Sequence, residues 1–117
     1  MALTVTLSNP ANGVAVYTYD NLDHDDTAPQ SIRIAGAEPV SGFVHATGTF
    51  GSGSVKIQGS NDGTNWVALD DVYGDSIAVA AATGHAEFKT SAVYIRPLLS
   101  GGSAGDVDVY ISIRRVG

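Results

Sequence analysis

Ser54-Val55-Lys56-Ile57-Gln58-Gly59-Ser60-Asn61-Asp62-Gly63-Thr64-Asn65-Trp66-Val67-Ala68-Leu69 is the stretch that decides the fold. Runs of alternating apolar and polar residues flank Asn61-Asp62-Gly63, and a period of two belongs to a strand with one buried face. Asp-Gly after Asn suits a three-residue hairpin loop, a type I turn with Gly63 in the left-handed region. Only glycine takes that conformation without strain. Such a turn pairs Ser60 with Thr64. Counting outward, Ile57 meets Val67 and Val55 meets Leu69 on one face, while Gln58 meets Trp66 and Lys56 meets Ala68 on the other. Turn chemistry and apolar pattern agree on a hairpin.

The same period runs through most of the chain. Val107, Val109, Ile111 and Ile113 alternate with Asp108, Tyr110, Ser112 and Arg114; Val93, Ile95, Pro97 and Leu99 alternate with Tyr94, Arg96 and Leu98. The link between these two runs, 100–105, is flexible and glycine-rich; an antiparallel pairing with odd positions opposite odd positions would set both apolar rows on one face and bring Arg96 near Asp108 or Tyr110 on the other. Further strands are expected at 3–7, 14–19, 30–34, 42–50, 76–82 and 85–89, with breaks at Asn9-Pro10, Asn12-Gly13, Ala28-Pro29 and Gly84. No stretch carries a helical repeat. Short strands spaced about 8–12 residues apart predict an all-β antiparallel β-sandwich, jelly-roll-like. There is no internal repeat and no linker, so the expected organisation is one domain over 1–117, with 1–9 as an N-terminal arm able to extend onto a neighbour.

The composition narrows the function classes. The chain has 117 residues, 44% of them hydrophobic and 15% charged, which is a folding composition and not a disordered one. With no cysteine there is no disulfide framework, thiolate metal site or cysteine nucleophile. Six Lys and Arg against twelve Asp and Glu argue against an electrostatically driven nucleic-acid or anionic-membrane binder. The opening ten residues lack a basic region and Pro10 interrupts them, so no cleaved leader is expected. The longest apolar run, 77–82, is far short of the ~20 residues of a membrane helix.

Motifs of catalysis are missing. There is no G-x-S-x-G elbow, P-loop or dinucleotide fingerprint, and the Gly-rich run 48–53 has no following helix to offer a phosphate. His24, His45 and His85 lack a zinc spacing such as H-E-x-x-H. Four carboxylates and His24 within 20–26 could supply oxygen ligands to Ca²⁺, but the EF-hand spacing is absent, and a solvated loop is the plainer reading. Asp70, Asp71 and Asp75 form a second acidic group, which could share a cage with Asp62 only by accident of folding. No cofactor and no enzymatic activity are expected. Trp66 falls on the hairpin face away from the Val55-Ile57 cluster, where it is either covered as a satellite core or exposed with Tyr73 as an anchor. Tyr17 and Tyr19 share one face of a strand whose other face is also apolar, which favours self-association. The candidate interface residues are Trp66, Tyr73, Tyr17, Tyr19 and Arg96.

Gly59-Ser60-Asn61-Asp62-Gly63-Thr64-Asn65-Trp66-Val67-Ala68-Leu69, followed by Tyr94-Ile95-Arg96-Pro97 and a final alternating strand, resembles small virion proteins of tailed bacteriophages, in particular capsid decoration (cement) proteins. The resemblance covers roughly residues 43–117. It implies a non-enzymatic viral structural protein on the capsid exterior, made in the host cytoplasm, a homo-oligomer with a trimer favoured, that bridges and stabilises major capsid protein subunits. The Ser-Asn-Asp-Gly hairpin with its Trp also resembles that of discoidin-like sugar- and lipid-binding sandwiches. The competing expectation is therefore a carbohydrate-binding module of a head fibre or tail adhesin, stacking sugars on Trp66, Tyr73 and Tyr94 with Asn61, Asp62 or Asn65 as polar contacts.

Overall fold

The long alternating runs become ladders because each strand has an apolar row to bury and a neighbour offering the same. A computed structural model describes residues 5–11, 13–34, 39–81, 84–102 and 105–115, the side chains at 9–11 and 115 excepted. The strands are β1 (Thr6–Ala11), β2 (Val14–Leu22), β3 (Ile32–Arg33), β4 (Val40–Thr49), β5 (Ser54–Ser60), β6 (Val67–Ala68), β7 (His85–Thr90), β8 (Tyr94–Ser100) and β9 (Asp106–Arg115). From β2 onward the chain pairs like one long hairpin about the β5–β6 loop. β5 pairs β6, β4 pairs β7, β3 pairs β8 and β2 pairs β9, all antiparallel. Rolling that hairpin on itself adds the β5·β8 and β4·β9 ladders. Two sheets result, β1-β2-β9-β4-β7 and β3-β8-β5-β6. This is the all-β sandwich that the alternation predicts, in a jelly-roll-like order.

Each sheet contributes one face to the core. Tyr19, Val44, Phe88, Val107, Val109 and Ile111 come from the first sheet, and Ile32, Val55, Ile57, Ile95 and Leu99 from the second. Ile77 and Val79 close the side between β6 and β7 and are buried too. They do so without a ladder: segment 76–81, expected as a strand, makes only isolated bridges, Val55↔Val79 and Asp70↔Ser76. Its apolar alternation marks burial, not sheet membership.

Three further expectations change. The β5·β6 register is Gln58↔Ala68 and Gly59↔Val67, so Ile57 faces Leu69 and the loop is 61–66. A shift of two keeps every side chain on its expected face, where a shift of one would have reversed them. β8 and β9 are not partners. They lie in opposite sheets, and their apolar rows reach the core from opposite sides; Arg96 pairs with Gln58, not with Asp108 or Tyr110. β1 runs through Pro10, which is tolerated because β1 is an edge strand and its ladder shifts register between Ser8 and Ala11. Within the expected arm, Thr6 to Ser8 are paired to β2, while 1–4 lie outside the described residues.

Candidate interaction surfaces

The β5–β6 loop is built by side chains competing for backbone donors. Ser60 Oγ accepts from Gly63 N at 2.9 Å. Asp62 Oδ1 accepts from Thr64 N at 2.9 Å and Asn65 N at 2.8 Å, and Oδ2 from Asn65 Nδ2 at 2.7 Å. These donors, the Asn65 amide foremost, hold the Asp62 carboxyl well below the usual carboxylate range. Satisfying three backbone groups this way lengthens the loop beyond the three residues that Asp-Gly alone implies. Gly63 keeps the expected positive φ, +75°. Asp62 is consumed by its own loop and shares no cage with Asp70, Asp71 or Asp75.

The lengthened loop delivers Trp66 to the outer face of the four-stranded sheet. There the Arg96 guanidinium lies 4.1 Å from the Trp66 ring centroid, and Arg96 Nε donates to Gln58 Oε1 at 2.8 Å. Partial burial pulls Arg96 below its ordinary value. Register places Arg33 and Lys56 on the same outer face. Among the described residues the basic side chain that lies within 4 Å of a carboxylate is His24, beside Asp23 and Asp25, and Arg33, Lys56 and Arg96 have no carboxylate partner there.

The outer face of the five-stranded sheet carries a row of rings. Cross-strand pairing sets His45 opposite both His85 and Tyr110. His45 stacks on Tyr110 with centroids 4.7 Å apart, and Phe43 stacks on His85 at 5.5 Å. Phe43 is 38% exposed. Val14, Val16 and Thr18 continue this face across β2. Sequence reading missed the row because the two histidines meet only once the β4·β7 register is known; their outward parity beside Phe43 and Glu87 was the available signal.

The tyrosines divide differently from expectation. Tyr19 is fully buried and donates its hydroxyl to Gln30 O at 2.7 Å, and burial pushes its phenol up. It is a core residue and not part of any surface. Tyr17 shares its inward side, opposite Ile111, and packs partly buried against the core. The reason is register: Val14, Val16 and Thr18 are the outward residues of β2. Tyr73 is 85% exposed, at the tip of a separate loop.

The acidic segments are turns held by their own carboxylates. Asp23 Oδ1 accepts from Asp25 N at 2.6 Å, and Asp26 Oδ2 from Asp23 N at 3.0 Å. Ligand atoms of Asp23, His24 and Asp25 lie within 4.8 Å of one another, though His24 is one-third exposed and the Asp23 carboxylate already accepts from the turn backbone. An open cleft of about 500 Å³ lies against the β5–β6 loop, lined by Asn61, Asn65, Val67, Leu69, Ser91 and Ala92 among others. No protein-family model matches the chain, and no characterised protein matches it in sequence. Among the described residues no helix is long and apolar enough to cross a membrane.

Proposed function

We propose that this chain is a non-catalytic structural protein of a tailed-phage virion, a homo-oligomer that decorates the capsid exterior and bridges major capsid protein subunits. The observation that carries the reading is the ring row Phe43, His45, His85 and Tyr110 on the outer face of the five-stranded sheet. Aromatic side chains held rigidly on strands bind at small entropic cost, and they dominate protein interfaces. Tight ladders on both sides of that face give a platform that does not deform on docking. A net charge of −6 keeps such a protein off packaged nucleic acid. Binding only the assembled shell stabilises it by mass action.

The test is co-sedimentation with expanded shells of a tailed-phage major capsid protein from the genome that encodes this chain, and a genome without one refutes the reading. Wild type should pellet saturably, and a Phe43→Ser/Tyr110→Ala variant with an unchanged circular dichroism spectrum should lose at least about tenfold in affinity. Equal pelleting of both, or none of either, refutes the reading. A second reading has its own observation: the cleft beside Asn61 and Asn65 joins an apolar floor to side-chain amides, a lining suited to a sugar. Glycan-array binding lost on Asn65→Ala would favour it. The Trp66 platform supports it less, since Arg96 occupies one ring face.

A further inference from the structure

The four-stranded sheet turns a basic, aromatic face outward on a chain of net charge −6. Arg33 lies opposite Tyr94, Arg96 opposite Gln58, and Lys56 opposite Leu98. The three cations therefore step diagonally across β3, β8 and β5, one outward row apart, with neighbours roughly 7–8 Å from each other. They are half of the six Lys and Arg in the chain. Arg96 is fixed by Trp66 and Gln58, which engage the face of its guanidinium and its Nε and leave its terminal nitrogens unbonded among the described residues. A guanidinium oriented in this way suits a carboxylate.

The complementary shape is on the same molecule. Loop 70–76 carries Asp70, Asp71 and Asp75 around Val72 and Tyr73. It is rigid: Asp71 Oδ1 accepts from Tyr73 N at 2.9 Å and Asp75 N at 3.0 Å, and Asp71 N donates to Asp75 O at 2.7 Å. Val72 N donates to Glu87 O at 2.9 Å, pinning the loop to β7. Its tip nevertheless leaves Tyr73 85% and Val72 52% exposed. A pre-ordered loop with a bare aromatic tip loses little freedom on docking, which is the condition for an anchor residue.

We propose that this loop docks on the Arg96-Trp66 face of a second copy of the chain, Tyr73 against the Tyr94 and Trp66 side chains and Asp70 and Asp75 toward Arg96, Arg33 and Lys56. The contact joins two different patches, so it is heterologous and either closes into a ring or runs on as a filament. It rests on the self-association in the functional reading above and supplies an interface for it, but it uses neither the ring row nor a capsid, so shell binding through the ring row stands or falls by its own co-sedimentation test.

Sedimentation velocity on the purified chain tests it. Wild type should associate with a midpoint below about 100 µM at low salt, and about 0.5 M NaCl should weaken it. Tyr73→Ala, at a position too exposed to affect folding, should raise the midpoint at least about tenfold. Arg96→Glu and Asp70→Arg/Asp75→Arg should each be monomeric alone, and their mixture should associate, because acidic and basic patches meet again across the two chains. A monomeric wild type, a Tyr73→Ala variant that associates like wild type, or a mixture that stays monomeric overturns the proposal. Should Arg96→Glu fail to fold, Tyr73→Ala still decides.

Discussion

Gly42 sits directly opposite Phe88 in the β4·β7 ladder. Adding a methyl group in Gly42→Ala would put its carbon 2.6 and 2.7 Å from Phe88 Cε1 and Cε2, with Phe88 Cζ nearer still. Carbon atoms prefer roughly 3.5–4.0 Å, so the ring must give way. Phe88 is fully buried and cannot swing into water. Gly42 has no positive φ, so the backbone accepts alanine and the collision is the whole effect. Overpacking of this kind costs about 1–3 kcal/mol. At roughly 4 °C per kcal/mol for a domain near this size, Tm should fall by about 4–12 °C. Urea unfolding would show the same loss as a lower midpoint at constant slope. The cause is isolated by a double-mutant cycle: the three colliding atoms are ring atoms that leucine lacks, so Gly42→Ala should cost at least about 1 kcal/mol less in a Phe88→Leu background. A Tm within about 1 °C of wild type, or equal penalties in both backgrounds, would refute the packing of β7 on β4.

Three other outcomes follow from the same geometry. Gly63→Val should destabilise the fold by about 1–2 kcal/mol, since φ is +75°; near-wild-type chemical denaturation would place the turn elsewhere. Asp62 has a depressed folded pKa, so its stabilisation is complete above the unfolded value of about 4 and is lost as pH falls below it; the Tm gap between wild type and Asp62→Ala should narrow in acid and stay constant from about pH 5 to 8. Tyr19 has a raised folded pKa, so the fold should weaken as pH rises above about 10, and one of the five tyrosines should ionise only on alkaline unfolding, a signal that Tyr19→Phe abolishes at a cost of about 0.5–1.5 kcal/mol.

Much of the architecture was legible in residues because the alternation is strict where it matters. Val107 to Ile113 and Val55 to Ile57 announce their buried faces, and Gly63 its turn. Pairing was less legible. Val93 to Leu99 and Val107 to Ile113 look like a hairpin, but two strands with one-sided apolar rows are equally satisfied on opposite sides of a core, and the sequence carries no term that chooses between them. The loop after Ser60 ran longer because Asp62 and Ser60 bond to amides that an Asp-Gly turn would leave to the ladder. Sequence alone makes Tyr17 and Tyr19 interface candidates because both faces of β2 are apolar, and only the β9 register tells the two faces apart. Of the candidate surfaces, Trp66 with Arg96 was half visible as two outward residues. The His45-His85-Tyr110 row was not, since it spans three strands distant in sequence.

The most direct measurement of the central proposal is an electron cryomicroscopy reconstruction of expanded shells with and without the bound chain. Density for the sandwich should lie on the shell exterior over contacts between neighbouring subunits, with the outer face of β4, β7 and β9 toward the shell and Phe43, His85 and Tyr110 in the contact. Unchanged shells, or a chain held by its other sheet with the ring row facing solvent, would contradict it.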